Sequence, residues 1–285
     1  MLTTYRFRLY PTKTQESLLN ETLETCRLLY NWLLAERREN QIGFYEQKRV
    51  LVELKKRDEY LRAVHSQVLQ DVVLRLDKTH RAFFAGLARH PRFKRKGRYN
   101  SFRYPQLGGF GVIGKALRLS KIGSVKMKLH RPVEGSTKTC TVIRDIDQWY
   151  ACISAEVESK PIQSRGGEPV VGVDLGVVKL ATLSNGRIFE NPRHLDSYTT
   201  RLKTLQRGLS RTKRGSSNRE QARVALAKVW RKVRSKRLDL AHKVSADLAS
   251  EYSTVVFEDL HIPSMVKNHS LASAITDASG GSCAA

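Results

Sequence analysis

The sequence predicts an α+β protein, because β-type alternation and helical periodicity occupy separate stretches of the chain. Residues 3–10, TTYRFRLY, alternate apolar and charged side chains and predict a half-buried strand. Residues 11–90 carry apolar side chains at steps of three and four, which predicts a helical unit. Short alternating runs between residues 117 and 158 predict a small antiparallel barrel or sheet.

Two helices can be placed within the helical unit. Pro11 ends the first strand, and Thr12 with Gln15 predicts a capping box at the start of the first helix. The apolar positions expected to be buried in this helix are Leu19, Leu23, Cys26, Tyr30 and Leu33. Those that mark the second helix are Val64, Val68, Val72, Leu76, His80, Phe83 and Leu87.

Residues 91–104, PRFKRKGRYNSFRY, are rich in basic and aromatic side chains and contain no acid. Basic side chains neutralise phosphates, and aromatic rings can stack on unpaired bases. The aromatics, Phe93, Tyr99, Phe102 and Tyr104, also have a spacing that suits a core. The segment therefore predicts these nucleic-acid-binding residues: Arg92, Lys94, Arg95, Lys96, Arg98 and Arg103.

The second part of the chain follows a polar Gly/Pro-containing linker, predicted at residues 159–169. The run VVGVDLGVV predicts a buried strand, and VKLATLSNGRIFEN predicts a hairpin whose Asn185–Gly186 pair suits a type I′ turn. Two helical stretches follow, marked by Leu195, Tyr198, Leu202, Leu205 and Leu209, and after a turn at GSSN by Leu226, Trp230, Val233, Leu240, Val244 and Leu248. The run STVVFEDL then predicts a last strand, and this order is the beginning of an RNase H-like fold.

Two carboxylates at strand ends are the candidate catalytic and metal-binding residues. Asp174 lies among valines and glycines, so we expect a buried carboxylate that needs a cation or strong donor. Glu258 ends a second apolar strand 84 residues later. If the two strands are neighbours, the carboxylates converge and favour Mg²⁺ between them. The alternatives are that Asp174 only forms a turn and that Glu258 and Asp259 precede a helix as capping residues.

The stretch from Arg201 to Arg237 contains fourteen Lys and Arg residues and one acid, Glu220. Charge of a single sign repels itself, so a phosphate backbone is the expected ligand, whereas the alternative is a merely solvated helix face. The residues predicted to bind nucleic acid here are Arg207, Arg211, Lys213, Arg214, Arg231, Lys232, Arg234, Lys236 and Arg237.

Overall composition points to the same class of ligand. The 285 residues have a formal net charge of +24, which indicates a polyanionic partner. The sequence has no apolar run long enough to span a membrane, and its start lacks an apolar signal core, so we expect no membrane partner and a cytoplasmic protein. Four scattered cysteines without C-x-x-C spacing predict neither disulfides nor a zinc site.

Seven ordered segments resemble the TnpB/OrfB family of RNA-guided DNA nucleases of insertion sequences. They are YRFRLYPTKTQESLL, CRLLYNWLLAER, VHSQVLQDVVLRLDKTHRAFF, HPRFKRKGRYNSFRYP, LHRPVEGSTKTCTVIRDIDQWYACISAEV, VGVDLGVVKLATLSNGRIFENPRHL and VVFEDLHIPSMVKNHSLASAITDAS. The resemblance implies a guide RNA from the mobile element, a target DNA and Mg²⁺-dependent cleavage. Within the family's nuclease motifs, Asp174 and Glu258 occupy the positions of the first two catalytic carboxylates.

The resemblance also implies an architecture. A small β-barrel (wedge) domain comprises residues 1–10 and 91–158, and a helical recognition domain, residues 11–90, is inserted into it. After the linker, a RuvC-like domain with the RNase H-like fold comprises residues 170–270. Residues 271–285 are expected to be an aberrant tail that gives Asp277 no rigid support.

One departure from the family lies in this tail. Relatives continue with a CxxC…CxxC zinc-binding insertion and a third catalytic Asp, whereas this sequence reads ITDASGGSCAA. We therefore expect an incomplete nuclease domain without zinc, weak Mg²⁺ binding and loss of cleavage, as in a truncated or frameshifted gene product. The alternatives are a nuclease-dead, RNA-guided DNA-binding protein and a poorly folding remnant of a mobile element.

Overall fold

The computed structural model describes residues 1–158, 168–268 and 272–278, and it confirms the α+β class. The chain forms two compact units, which divide between residues 160 and 161. Residues 159–167 of the predicted linker lie outside the described residues, and residues 168–169 already belong to the first strand of the second unit.

The first unit is built on a seven-stranded antiparallel sheet with the order β2-β6-β7-β1-β5-β4-β3. Its strands are β1 (Leu2–Tyr10), β2 (Ser101–Tyr104), β3 (Phe110–Ile113), β4 (Ala116–Leu119), β5 (Gly123–Lys128), β6 (Ser136–Asp145) and β7 (Gln148–Glu156). The predicted first strand is confirmed and is central, with Leu9 opposite Trp149 of β7 and Met127 of β5. The two end strands approach each other at Tyr104 and Phe110, whose ring centroids are 6.5 Å apart.

Four helices lie between β1 and β2 in the chain: α1 (Lys13–Glu39), α2 (Phe44–Arg57), α3 (Glu59–Ala63) and α4 (Ser66–Phe84). The capping box of α1 is confirmed, because the Gln15 amide donates to Thr12 Oγ1 over 3.3 Å and the Thr12 amide donates to Gln15 Oε1 over 3.1 Å. The apolar positions predicted for α1 are all buried. Sequence patterns missed α2 and α3, since α2 buries only Gln47 and Leu51 and so lacks a continuous apolar stripe.

The end of α4 differs from the prediction. Val68, Val72, Leu76 and His80 are buried as expected, but Leu87 lies beyond the helix and is exposed. The reason is Gly86, which follows the helix with a φ of +73° and donates its amide to the Phe83 carbonyl over 2.9 Å. A left-handed glycine of this kind ends the helix before the apolar pattern does.

Two aromatic side chains of the basic segment belong to the core. Phe102 and Tyr104 lie in β2, which the sequence patterns missed, and both are almost completely buried. The Tyr104 hydroxyl donates to the Ser120 carbonyl over 2.9 Å. Of the two alternatives for these rings, the core is confirmed and stacking on nucleic-acid bases is not, because side chains alternate along the strand and theirs point inward.

The second unit is built on a four-stranded sheet with the order β10-β9-β8-β11. Its strands are β8 (Glu168–Leu175), β9 (Lys179–Leu183), β10 (Ile188–Glu190) and β11 (Tyr252–Phe257), and its helices are α5 (Asp196–Arg211), α6 (Ser217–Glu251), α7 (Ile262–Met265) and α8 (Ala272–Ala278). β11 is parallel to β8, whereas β9 and β10 are antiparallel. Val171 and Val173 of β8 pack in one apolar cluster with Val244 and Leu248 of α6.

Two details of this unit correct the sequence predictions. Gly186 has a φ of +85°, but Asn185 is not in the left-handed region, so the β9–β10 turn is not type I′. Instead, residues 184–186 form a three-residue loop, closed by a 2.9 Å bond from the Gly186 amide to the Leu183 carbonyl. In α6, Trp230 of the predicted apolar stripe is 45% exposed, and its neighbour Val229 is buried instead.

No helix in the described parts of the chain is both long and apolar enough to cross a membrane.

Candidate metal and nucleic-acid sites

Asp174 and Glu258 lie at the ends of two adjacent parallel strands: Asp174 is the next-to-last residue of β8, and Glu258 directly follows β11. Phe257 of β11 lies opposite Val173 of β8, so the next residues along the two strands are Glu258 and Asp174. Val173 points into the core, and Asp174 points to the opposite face, where it is exposed. The expectation that Asp174 is buried is wrong, because the valines of β8 that surround it are not all on one face: Val170 is also exposed.

The electrostatics of this pair suit a cation. Within the described ranges, no ion pair links Asp174 or Glu258 to a Lys, Arg or His side chain. Two carboxylates at adjacent registers repel each other unless a positive charge lies between them. Oxygen ligands of this kind fit Mg²⁺, although the described residues contain no group of three or more metal-binding side chains.

The capping alternative for Glu258 and Asp259 does not agree with the structure. The next helix, α7, begins only at Ile262 and has His261 at its N-cap position. Neither acid therefore caps a helix, and both side chains are exposed.

Gly172 and Gly176, on either side of Asp174, are approached by other parts of the protein: the backbone of Lys179 at Gly176 and the side chain of Ser184 at Gly172. A Cβ atom at Gly176 would lie 2.8 Å from the Lys179 carbonyl oxygen, a distance that real side chains do not tolerate. The Gly172 amide donates to Ser184 Oγ over 3.1 Å. Gly176 is therefore required for the tight β8–β9 connection that places Asp174 at the strand end.

Asp277 is held rigidly, contrary to prediction. It lies in α8, is 8% exposed, and accepts two 2.9 Å bonds from the Leu195 amide and a 3.0 Å bond from Arg237 Nε. The expected aberrant tail is thus wrong for residues 272–278, while residues 271 and 279–285 lie outside the described residues. The sequence pattern failed here because Ile275, Asp277 and Ala278 make a helix face too short for periodicity to reveal.

The fourteen basic residues from Arg201 to Arg237 fall on the α5–α6 helical hairpin. Arg219 closes the hairpin by donating to the carbonyls of Leu209 and Thr212, each over 2.9 Å. The predicted binding residues of the hairpin that are exposed are Arg207, Arg211, Lys213, Arg214, Lys232, Arg234 and Lys236. A shallow depression of about 350 Å³ follows one face of α5 and is lined by Lys203, Gln206, Arg207, Ser210 and Arg211.

Some of the predicted basic residues have partners inside the protein. Arg237 pairs with Asp277 over 2.9 Å, and Arg231 and Arg234 also interact with neighbouring groups. In the first unit, the Nε atom of Arg103 donates to the buried carboxylate of Asp71 over 2.8 Å. Arg103 and Arg237 therefore contribute to the fold.

The basic segment before β2 is fixed to helix α1 by residues that sequence reasoning missed. The Asn31 amide group accepts from the Lys94 amide over 2.7 Å and donates to the Lys94 carbonyl over 3.0 Å. Arg27 donates to the same carbonyl over 2.9 Å. Arg92, Arg95, Lys96 and Arg98 are left exposed on this anchored loop. Because Asn31 is 63 residues away from Lys94 in sequence, no local pattern could have indicated this contact.

Comparison with known proteins gives relatives that align over most of the chain. The chain is 32% identical over 276 residues to "Putative RNA-guided DNA endonuclease InsQ" of Escherichia coli K12, covering 94% of this chain and 68% of that protein. It is also 32% identical to "Putative RNA-guided DNA endonuclease" of Streptomyces pristinaespiralis, covering 96% of this chain and 71% of the relative. A Mycobacterium tuberculosis protein, "Putative RNA-guided DNA endonuclease Rv2885c", is 29% identical over 64% of this chain and 43% of its own length.

Two family models also match. "Probable transposase" matches residues 152–269, and "Helix-turn-helix domain" matches residues 1–41. In the structure, residues 1–41 form strand β1 followed by the single long helix α1, and not two helices joined by a turn. Taken with the Escherichia coli and Streptomyces relatives, of which the chain covers 68% and 71%, these matches show that the chain belongs to the TnpB/OrfB family of insertion-sequence transposases.

Proposed function

We propose that this protein binds a guide RNA and, directed by it, a target DNA. The observation that carries the proposal is the α5–α6 hairpin, where exposed lysines and arginines follow both helices with Glu220 as the one acid in the basic stretch. Such a surface is stable when phosphates neutralise it. The anchored loop that presents Arg92, Arg95, Lys96 and Arg98 supplies a second basic surface, in the first unit. The names of the relatives, RNA-guided DNA endonucleases, agree with these ligands.

We further propose that the second unit is a RuvC-like nuclease domain of RNase H-like topology. Its support is the strand order β10-β9-β8-β11, with helices α5 and α6 between β10 and β11. In this arrangement the parallel strands β8 and β11 bring Asp174 and Glu258 to one edge. The first unit is correspondingly proposed to combine a wedge-like barrel with the inserted helices α1–α4.

Asp174 and Glu258 would hold Mg²⁺ at this edge, through carboxylate oxygens. The ion supplies Lewis-acid activation of a phosphate and of an attacking water when it is bound. We assign Asp277 no role as a third ligand, because the described residues contain no group of three metal-binding side chains and its oxygens accept from Leu195 and Arg237. Two carboxylates retain a hydrated ion weakly and do not fix a pair of ions for in-line attack. We therefore propose that this chain binds nucleic acid and by itself cleaves it poorly.

The RNA-binding proposal is tested by charge reversal on the hairpin. Changing Arg211, Lys213 and Arg214 to Glu should weaken binding of a structured RNA, because it replaces phosphate-binding charges with repulsive ones. Affinity of the unaltered protein should fall with salt, with a log–log slope of about −0.7 to −0.9 per phosphate contact. Fluorescence anisotropy with labelled RNA, over a range of salt concentrations, measures both quantities.

The matched control reverses three exposed arginines of the helical part of the first unit, Arg49, Arg57 and Arg62, so that the net charge changes equally. If binding depends on the hairpin itself, this variant binds RNA several-fold better than the hairpin variant. Equal losses in both variants, or binding that does not respond to salt, would contradict the proposed surface.

The catalytic proposal is tested with purified protein, guide RNA, matched DNA and millimolar Mg²⁺ or Mn²⁺. We expect guided binding of the DNA in a gel-shift assay without appreciable cleavage, since catalysis is sensitive to misplacement of about 1 Å. Cleavage that disappears in Asp174→Ala would show that the site is competent. Cleavage that persists in that variant would indicate a contaminating nuclease.

A further inference from the structure

The first unit contains an apolar groove between α1 and the α2–α3 segment. It has a volume of about 400 Å³ and is lined mainly by Leu28, Leu29, Trp32, Leu54, Tyr60 and Leu61. Leu28 is 54% exposed and Tyr60 is 70% exposed. Large apolar side chains that share one concave surface and remain open to solvent are typical of a binding site.

The shape of the groove suits an elongated ligand. Its α1 wall begins at Glu21 and continues through positions on the same helix face to Trp32. At 1.5 Å per residue this wall is roughly 16 Å long, or about three helical turns. That length exceeds what a small metabolite needs and matches a short helical peptide that inserts apolar side chains along one face.

The rim of the groove is acidic, although the chain as a whole has a net charge of +24. Its charged lining residues are Glu21, Glu24 and Asp58. Glu24 is paired with Arg27. Glu21 accepts from the Ser17 hydroxyl and Asp58 caps α3, but within the described ranges neither forms an ion pair. Two carboxylates therefore stand beside exposed apolar surface without a cation.

We propose that this groove docks a basic amphipathic helix of a partner protein, with its apolar face on Leu28 and Tyr60 and its lysines or arginines at Glu21 and Asp58. Nucleic acid is an unfavourable occupant, because its phosphates would meet the unpaired carboxylates. The partner at this groove is a protein, whereas the ligands of the proposed function are nucleic acids. This inference does not depend on the proposed function.

The experiment uses the full-length protein and a labelled synthetic peptide of leucine and lysine, about 14 residues long, designed as an amphipathic helix. The comparison peptide carries glutamate in place of every lysine. Fluorescence anisotropy should show saturable binding of the lysine peptide and little binding of the glutamate peptide. Leu28→Ala should weaken the lysine peptide about fivefold, since it removes apolar contact area from an exposed position.

The double variant Glu21→Gln/Asp58→Asn should weaken the lysine peptide by up to about tenfold and reduce the salt dependence of binding. Asn is also a good N-cap, so α3 is preserved. The matched control, Val52→Ala/Glu46→Gln, alters an exposed apolar and an exposed acidic residue of α2 outside the groove and should leave affinity unchanged. RNA affinity should be the same in all of these variants.

Three outcomes would overturn the proposal. One is equal affinity for the lysine and glutamate peptides, and another is an equal loss in the groove and control variants. The third is a dimer of the unaltered protein, seen by light scattering, that Leu28→Ala dissociates, because the occupant would then be a second copy of this chain. Since Leu28 is exposed, circular dichroism should confirm that each variant remains folded.

Discussion

Two carboxylates of the first unit and two of the second occupy opposite environments. In the first unit, Asp71 is buried and accepts from Arg75 and Arg103, and Asp77 is buried between Arg37 and Arg81. In the second unit, Asp174 and Glu258 are exposed side by side and lack an ion-pair partner among the described residues. A buried acid requires internal partners, whereas an exposed carboxylate pair is solvated by water and is accessible to a cation. Asp71 and Asp77 therefore stabilise the fold of the first unit, as Asp277 does in the second, whereas Asp174 and Glu258 are left exposed.

The two units also differ in how completely the apolar side chains of their sheets are buried. Phe7, Leu9 and Trp149 of the first sheet belong to a large apolar cluster that also includes buried residues of α1 and α4. In the second unit, one sheet face packs on α6, whereas Val170 is 57% exposed and Val256 is 53% exposed on the other face. The second sheet thus keeps an apolar face, which also bears Asp174, open to solvent.

The largest expected effect is on the buried acids of the first unit. Asp71→Ala should lower the free energy of unfolding by about 3 kcal/mol, because the partly buried charges of Arg75 and Arg103 would lose their shared carboxylate. Urea denaturation followed by circular dichroism measures the change. The matched variant in the second unit, Asp174→Asn, should leave stability unchanged or raise it slightly by relieving repulsion with Glu258. Equal destabilisation by the two substitutions would refute the contrast between the units.

A second prediction concerns local opening. Backbone amides of residues 170–268 should exchange with solvent more readily than those of residues 1–158. Their opening free energies should be lower by about 2 kcal/mol, because apolar side chains of the second sheet are not covered. Hydrogen exchange followed by mass spectrometry resolves the two units. Uniform protection along the chain would mean that the second unit is as stable as the first, despite its open sheet face.

A third prediction sharpens the role of the exposed carboxylates. Saturating Mn²⁺ or Mg²⁺ should stabilise the second unit by about 1 kcal/mol, because the ion binds the folded state. Thermal unfolding should show this increase, and Asp174→Asn or Glu258→Gln should abolish it. Asp259→Asn, an exposed acid next to Glu258, is the control and should retain the increase. If the ion stabilises all variants equally, these carboxylates do not bind it.

The smallest expected effect is a pH dependence in the first unit. Burial, together with the positive charge of Arg37, lowers the pKa of His80 below its ordinary value. The unfolded state therefore binds the proton more readily, so stability is lost as pH falls below about 6.5. His80→Gln should flatten the dependence of unfolding free energy on pH between about 7 and 5. The exposed His242 provides the control, His242→Gln, which should leave that dependence unchanged.

Local sequence patterns predicted those elements whose periodicity is long or regular. The structure agrees with the predictions of strand β1, the capping box at Thr12, the buried face of α1, and the two strands at whose ends Asp174 and Glu258 lie. They could be predicted because alternation by two and steps of three and four are properties of consecutive residues. Helix α2, strand β2 and helix α8 were missed because each is short or buries few side chains.

Composition and periodicity thus suffice to predict the α+β class, the basic character of the α5–α6 stretch and the identity of the two strand-end carboxylates. The face that each group occupies depends on the folded structure. It placed Phe102 and Tyr104 in the core, exposed Asp174 and paired Asp277 with Arg237. Burial and ion pairing depend on residues that are far apart in the chain, and no local pattern specifies such neighbours. Arg237 and Asp277, for example, are separated by 40 residues.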